Sequence, residues 1–294
     1  MKGLVVVNGF SYSLAQVYKI RRLTEEFAKV DVQIEEKSTL DLTSFFVDGT
    51  VRVPGIAEYG FVVFLDKDRY LAAALEEYLP LFNSARAIEI CDDKMETFLF
   101  LKNRGLKTPK TMPAPLCYDP HPDPAYIRQL VKNVENEFSY PLIVKQCYGS
   151  LGRQVRLAHD RQELLNLMTE LIHLPHVYQE YVASSCGRDV RMFTVGGKVV
   201  AAMERINEKD FRSNVALGGH GVKIDPPPAF VEMAETVSEA IGLAYAGIDL
   251  MFGPKGEPVL AEVNSNAFFT EIEKVSGVNV TRLLVEYILK QLKN

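Results

Sequence analysis

The chain has 294 residues, with 33 Lys and Arg against 38 Asp and Glu and a formal net charge of −5. At 47% apolar and 24% charged residues it reads as an ordinary soluble globular protein of roughly two domains, which excludes collagenous, disordered and disulfide-scaffold chains. The mild acidity argues against a protein held on duplex nucleic acid mainly by phosphate contacts, while a local basic groove for a small anion stays open.

Residues 4–7 (Leu-Val-Val-Val) predict a buried strand ending at Asn8-Gly9. A polar helix follows from about Tyr12 to Lys29, and residues 61–65 give another buried strand. Strand, helix, strand in this order predicts a small parallel α/β unit over roughly the first 85 residues. The turn after the first strand holds only Gly9 and not G-x-G-x-x-G, so dinucleotide binding has no support. A helix is expected from Cys91 onward: Asp92 can cap it, Met95, Phe98 and Leu99 share one face, and Gly105 stops it before Pro109. The stretch 109–124 holds six prolines and reads as an extended connector. Residues 141–145, the loop Gly149-Ser150-Leu151-Gly152-Arg153 and residues 155–157 predict a hairpin with a movable tip. Residues 189–195 and 198–203 flank Gly196-Gly197, and 248–252 and 258–264 flank Gly253-Pro-Lys-Gly256, two further hairpin signals. Met233, Ala234, Val237 and Ile241 set a helical stripe that Gly242 ends. Val280, Leu283, Leu284, Tyr287 and Ile288 mark a closing amphipathic helix.

Cys91, Cys117, Cys147 and Cys186 are scattered and form no C-x-x-C pair, as expected of a reduced, cytoplasmic protein. His173 and His176 lie three apart but lack the partners of a zinc set. The opening residues have too short an apolar run for a signal peptide, and no stretch has the length of a membrane span.

Four groups of residues carry chemistry. In Ala261-Glu262-Val263-Asn264, strand alternation points Glu262 and Asn264 one way and packs Ala261 and Val263 behind. Asp249 sits on the partner strand, so two carboxylates and an amide oxygen make a hard site suited to Mg²⁺ and phosphate oxygens; taken alone, the pattern reads first as a solvated sheet face. Lys145 ends an apolar strand just before the glycine loop 149–153, where bare backbone can approach a phosphate, although the order is not that of a P-loop. Glu180 ends another strand, beside a segment whose backbone suits an adenine edge. Arg205 and Arg212 are placed to stabilise charge on a transferred phosphoryl group.

In this order and spacing, Lys145, Glu180, Asp189, Arg212-Ser213-Asn214, Asp249 and Glu262-x-Asn264 resemble the ATP-grasp ligases, specifically the RimK/LysX group of carboxylate–amine ligases. The resemblance runs from about Cys91 to the end of the chain. It rests on Gln-Glu-Tyr-Val at 179–182, Gly-Arg-Asp-Val-Arg at 187–191, Phe-Arg-Ser-Asn at 211–214 and Glu-Val-Asn at 262–264. It implies an α+β ATP-grasp fold: a small Rossmann-like α/β domain over 1–85, then two α+β subdomains, 86–175 with a lid loop at 149–153 and 176–294 with the metal site, that clasp ATP. Lys94 and Lys145 would contact the phosphates, and Gly149, Ser150, Gly152 and Arg153 would form the lid. Glu180, Tyr181 and Val182 would hold adenine and ribose, with Asp189 nearby. Arg212, Ser213 and Asn214 would meet the phosphates and the reacting carboxylate. Asp249, Glu262 and Asn264 would ligate two Mg²⁺ ions, for which Mn²⁺ can substitute.

The activity implied is ADP-forming amide synthesis, in which a carboxylate activated as an acyl phosphate is attacked by an amino-acid amine, glutamate first. The carboxylate would belong to a small molecule or to a protein or peptide C-terminus; a homo-oligomer is left open, and nucleic acid and membrane are not expected. Two departures touch the acceptor. Ala216-Leu217 precede Gly218-Gly219 where enzymes that add glutamate to a ribosomal protein carry Arg, and Asn266-Ala267-Phe268-Phe269 stand where those enzymes carry Pro-Gly. A LysX-like or other tailoring ligase, and an ATP-binding module without catalysis, are the alternatives.

Overall fold

The computed structural model describes residues 1–11 and 13–293; Tyr12, the expected start of the first helix, and Asn294, the end of the third expected unit, lie outside the described residues. β1 (Lys2–Val7) leads into α1 (Leu14–Ala28), β2 (Gln33–Ser38) and a short ribbon of β3 (Phe45–Val47) and β4 (Thr50–Arg52). β5 (Phe61–Leu65), α2 (Arg69–Glu76) and β6 (Leu81–Phe82) complete a parallel sheet of order β2-β1-β5-β6. The central strands β1 and β5 are buried almost throughout, as continuous apolar runs in a parallel sheet should be. Ser13 starts α1 by accepting the N–H of Gln16. Asn8 and Asp66 therefore follow the carboxyl ends of two adjacent strands, the edge where open α/β sheets receive ligands.

Two helices follow, α3 (Ala85–Asp92) and α4 (Lys94–Phe100). Here the expectation for the cap is corrected. Asp92 closes α3, and the extended Asp93 breaks the helix and caps α4 by accepting from Met95 N–H (2.8 Å) and Glu96 N–H (3.1 Å). The proline-rich stretch is also more than a connector. β7 (Thr111–Pro113) pairs antiparallel with a later strand, and because β7 is an edge, Pro113 costs no interior ladder bond. Pro124 opens α5 (Pro124–Glu137) behind the Asp123 cap. β8 (Leu142–Gln146), β9 (Val155–Ala158), α6 (Arg161–Leu171) and β10 (His176–Glu180) finish a sheet of order β7-β10-β8-β9.

The last sheet is antiparallel, of order β13-β12-β11-β14-β15. Its members are β11 (Arg188–Val195), β12 (Lys198–Ile206), β13 (His220–Lys223), β14 (Tyr245–Phe252) and β15 (Pro258–Asn264). α7 (Pro228–Ile241) covers it and stops where Gly242 takes a left-handed φ of 76°. α8 (Thr270–Ser276) and α9 (Val280–Gln291) close the chain. Among the described residues, no helix is long and apolar enough to cross a membrane.

The cores do not follow the sheets one to one. Val5 and Phe61 of the first sheet and Phe27 of α1 share a cluster with Phe193 and Tyr245 of the last sheet, Phe269 at the start of α8 and Leu284 of α9. Asn83 pins the same junction, donating to the carbonyls of Tyr245 (2.9 Å) and Ser265 (2.7 Å) and accepting from Ala244 N–H (2.7 Å). The middle sheet packs on its own cluster, including Val134, Val144, Met168 and Tyr178.

Candidate functional site

Strand register assembles one charged face on the last sheet. Asp189 on β11 lies opposite Arg205 on β12, Arg191 on β11 opposite Asp249 on β14, and Asp249 opposite Glu262 on β15. Opposite charges thus face each other across β12, β11 and β14, while the two carboxylates Asp249 and Glu262 face each other across β14 and β15. Arg191 holds Asp249 with two bonds, Nε to Oδ1 at 2.7 Å and Nη2 to Oδ2 at 2.6 Å. Arg205 reaches Asp249 at 3.0 Å and also grips Asp189 with two donors. Burial alone would raise the Asp249 carboxyl; Arg191 and Arg205 outweigh it and hold the group below the usual carboxylate range. Arg191 fits because Gly247 lacks a side chain, whose Cβ would lie 3.3 Å from Arg191 Nε and 2.9 Å from Ala267 Cβ.

A register shift between Asp249 and Leu250 places an extra residue in β15. Ala261 consequently faces the cleft beside Glu262, correcting the expectation that it packs behind, whereas Val263 does lie in the core. Glu262 is partly exposed and pairs with Lys94 at 3.2 Å. Asn264 donates through Nδ2 to Asp249 (3.3 Å) and to the Gly247 carbonyl (3.4 Å), which leaves Oδ1 without a partner among the described residues. Among the described residues no three His, Cys, Asp or Glu side chains are grouped for a metal, so a third donor here has to be the Asn264 amide. Carboxylate and amide oxygens suit Mg²⁺.

Facing this surface across a cavity of about 130 Å³ is the middle sheet. Ile143 and Val155 from one side and Met251 from the other supply apolar walls, and Lys94 and Lys145 line the charged end. Both lysines are buried. Burial, and then repulsion from Lys94, push the Lys145 ammonium down to about 8.

The loop between β8 and β9 lies over this end. Gly152 has a φ of 72°, and a Cβ there would fall 2.4 Å from Asn214 Oδ1, so the close approach needs glycine. Arg212 ties the loop down, donating to the carbonyls of Gly152 (2.9 Å) and Val155 (3.2 Å), while Asp210 orients its guanidinium. The latch grips main-chain oxygens.

The family model of the RimK-like ATP-grasp domain matches residues 91–288. This chain belongs to the RimK-like ATP-grasp family. It is 31% identical over 216 residues to human N-acetylaspartylglutamate synthase A, a match that covers 73% of this chain and 53% of the synthase. It is 36% identical over 211 residues to the probable alpha-L-glutamate ligase 1 of Shewanella sp. (strain ANA-3), covering 71% of this chain and 66% of the ligase. The chain therefore spans about half the length of the synthase. The solved ATP-grasp ligase PsnB, complexed with minimal precursor, Mg and ADP, matches with a TM-score of 0.68 at 18% identity, covering 99% of this chain and 97% of that one. The architecture is the ATP-grasp fold.

Of the residues singled out in the sequence of this ATP-grasp chain, Lys94, Lys145, Glu180, Tyr181, Val182 and Asp189 line the cleft. So do Arg205, Arg212, Ser213, Asn214, Asp249 and Glu262. Ser150 and Asn264 line a second cavity, of about 560 Å³, that shares Arg205, Asn214 and Glu262 with the first. Gly149, Gly152 and Arg153 line neither; Gly149 instead gives its carbonyl to Lys94 (3.3 Å). Sequence reasoning missed Ile143, Val155 and Met251, since an apolar strand residue reads as core whether it faces the core or a cleft. It also passed over Arg191, although its position two residues after Asp189 on a strand signals the same face.

Proposed function

We propose that this protein is an ADP-forming ligase that joins an ATP-activated carboxylate to the amine of an amino acid. The observation that carries the reading is the charged face of Arg205, Asp249 and Glu262 set against an apolar cleft with two buried lysines. The cleft fits a purine between Ile143, Val155 and Met251, with Glu180, Tyr181 and Val182 along the base and ribose edge and Asp189 nearby. Lys94, Lys145 and Arg205 neutralise phosphate oxygens, with Ser213 and Asn214 beside them, and Arg212 holds the lid of Gly149, Ser150, Gly152 and Arg153 closed against water. Asp249, Glu262 and Asn264 would hold two Mg²⁺ ions, or Mn²⁺ in their place. Bound there, the metal offsets charge on the transferring phosphoryl group.

In the reaction, the substrate carboxylate attacks the γ-phosphorus and ADP leaves; the amine then attacks the acyl phosphate carbon, the C–N bond forms and phosphate departs. Activation is needed because a carboxylate resists nucleophiles. Glutamate is the amine we favour, on the likeness to the Shewanella glutamate ligase, with a small molecule or a peptide C-terminus as carboxylate. We assign residues 1–85 to the acceptor side and 86–175 and 176–294 to the two halves of the clasp. The four free cysteines fit a reducing cytoplasm.

The test is nucleotide release with Mg-ATP, each amino acid in turn and a cell extract as carboxylate source. ADP release that requires one amino acid is the expected result; AMP release means adenylation and overturns the reading. ATP affinity should also carry the titration of Lys145. Below about pH 8 the ammonium is already charged and affinity is flat; above it, binding must take up a proton. The Kd for ATP should then rise by up to about tenfold per pH unit, and Lys145→Met should remove that slope in calorimetric titrations.

A further inference from the structure

The second cavity runs from the shared Arg205–Glu262 boundary to the carboxyl ends of β1 and β5. Its wall there carries a carboxylate oxygen that no donor among the described residues reaches. Asp66, one residue past β5, is 8% exposed. Its Oδ1 accepts the N–H of Lys67, but Oδ2 is buried with no hydrogen-bond partner among the described residues. Of the four cations lining the same cavity, three are paired with other carboxylates and Lys19 donates to neutral oxygens. Lys67 pairs with Asp92 at 2.7 Å, and Arg191 and Arg205 hold Asp249. Lys19 gives its donors to Asn266 Oδ1 (2.6 Å) and the Ala267 carbonyl (3.0 Å). The Thr270 hydroxyl, another lining group, is buried and unpartnered as well, and Glu271 next to it has no ion pair among the described residues. A buried carboxylate oxygen left without a donor is costly unless a ligand supplies one. Leu151, Met203, Val215, Ala216 and Phe268 give the rest of the cavity an apolar lining that suits a hydrocarbon body.

The amine of an amino acid enters as an ammonium and must lose a proton before its nitrogen can attack the acyl carbon, so a buried carboxylate beside its path both draws it in and can take that proton. The amine must also reach the phosphate end of the cleft, which this cavity borders at Arg205, Asn214 and Glu262. We propose that Asp66 Oδ2 receives the ammonium of the incoming amino acid and takes the proton whose loss frees the amine, so that the ends of β1 and β5 form the amine-substrate subsite. The assignment rests on the ligase reading above. Thr270 Oγ1, unpartnered in the same cavity, offers a further acceptor.

Asp66→Asn keeps the shape and the bond to Lys67 N–H while removing the charge. With L-glutamate as amine, or whichever amino acid supports turnover, its KM should rise about 10–100-fold. The KM for Mg-ATP and the melting temperature should stay as in the wild type. Inhibition by the des-amino analogue, glutarate in the case of glutamate, should change less than about twofold, since it has no ammonium to lose. Thr270→Val should give a smaller rise in the same KM and serves if Asp66→Asn fails to fold. An unchanged amino-acid KM in a folded Asp66→Asn enzyme that turns over overturns this assignment alone, and so does glutarate inhibition weakened by the same factor. A wild type without amino-acid-dependent ADP release removes the ligase reading, and this assignment with it.

Discussion

Glu262→Ala should lower magnesium-dependent ADP release by about 10²–10³-fold or more while nucleotide still binds. The side chain stands opposite Asp249 in the ladder, is partly exposed, and is paired only with Lys94 among the described residues. Its loss removes a hard oxygen donor and frees the Lys94 charge at the phosphate end. The apolar walls at Ile143, Val155 and Met251 are untouched, so ATP affinity should fall far less than turnover. Glu262→Asp, with a shorter reach, should shift the magnesium dependence to higher concentration and retain part of the rate. Turnover in the alanine variant with an unchanged magnesium profile would place the metal elsewhere.

The second large effect is on stability. Arg205 is 4% exposed and joins Asp189 to Asp249. Arg205→Met leaves both carboxylates short of charge compensation, which should cost about 3–5 kcal/mol and lower Tm by about 5–10 °C. The direction with pH follows from Asp249, whose carboxyl is held low in the folded state. A depressed carboxyl stabilises the fold above the ordinary carboxylate range and loses that contribution as pH falls through the folded-state value. The variant should accordingly unfold at a higher pH on acidification than the wild type. Adding Asp189→Asn removes one uncompensated charge and should restore part of the loss, as a thermal-melt double-mutant cycle would report.

Much of this was legible in the chain. The buried runs at 4–7 and 61–65 became the central parallel strands, and Gly196-Gly197 and the 253–256 turn marked the two hairpins that build the charged face. What escaped depends on pairing at a distance. β2 (Gln33–Ser38, Gln-Ile-Glu-Glu-Lys-Ser) is a polar edge strand without an alternating pattern, held by β1. Pro113 hid β7, because a missing N–H matters only where a ladder needs it. Between Asp92 and Asp93, sequence offers two equivalent caps, and only the break between α3 and α4 selects the second. The bulge that turns Ala261 toward the cleft is a property of two strands at once, and so is the pairing of Arg191 with Asp249.

The hydrophobic cluster that runs from Val5 and Phe61 to Phe193 and Phe269 makes the first and last sheets a single rigid anvil. Asp66 and Thr270 come from opposite ends of the chain yet share that anvil, whereas the middle sheet, with its separate core, is attached by one incoming and one outgoing stretch of chain. Admitting nucleotide by swinging that middle piece would leave the two groups in place relative to each other. On the assignment proposed above, such a swing would carry Ser150 and Leu151 away from the cavity while Asp66 and Thr270 stayed put, so the same motion that admits nucleotide would open the amine site without moving the groups that choose its occupant.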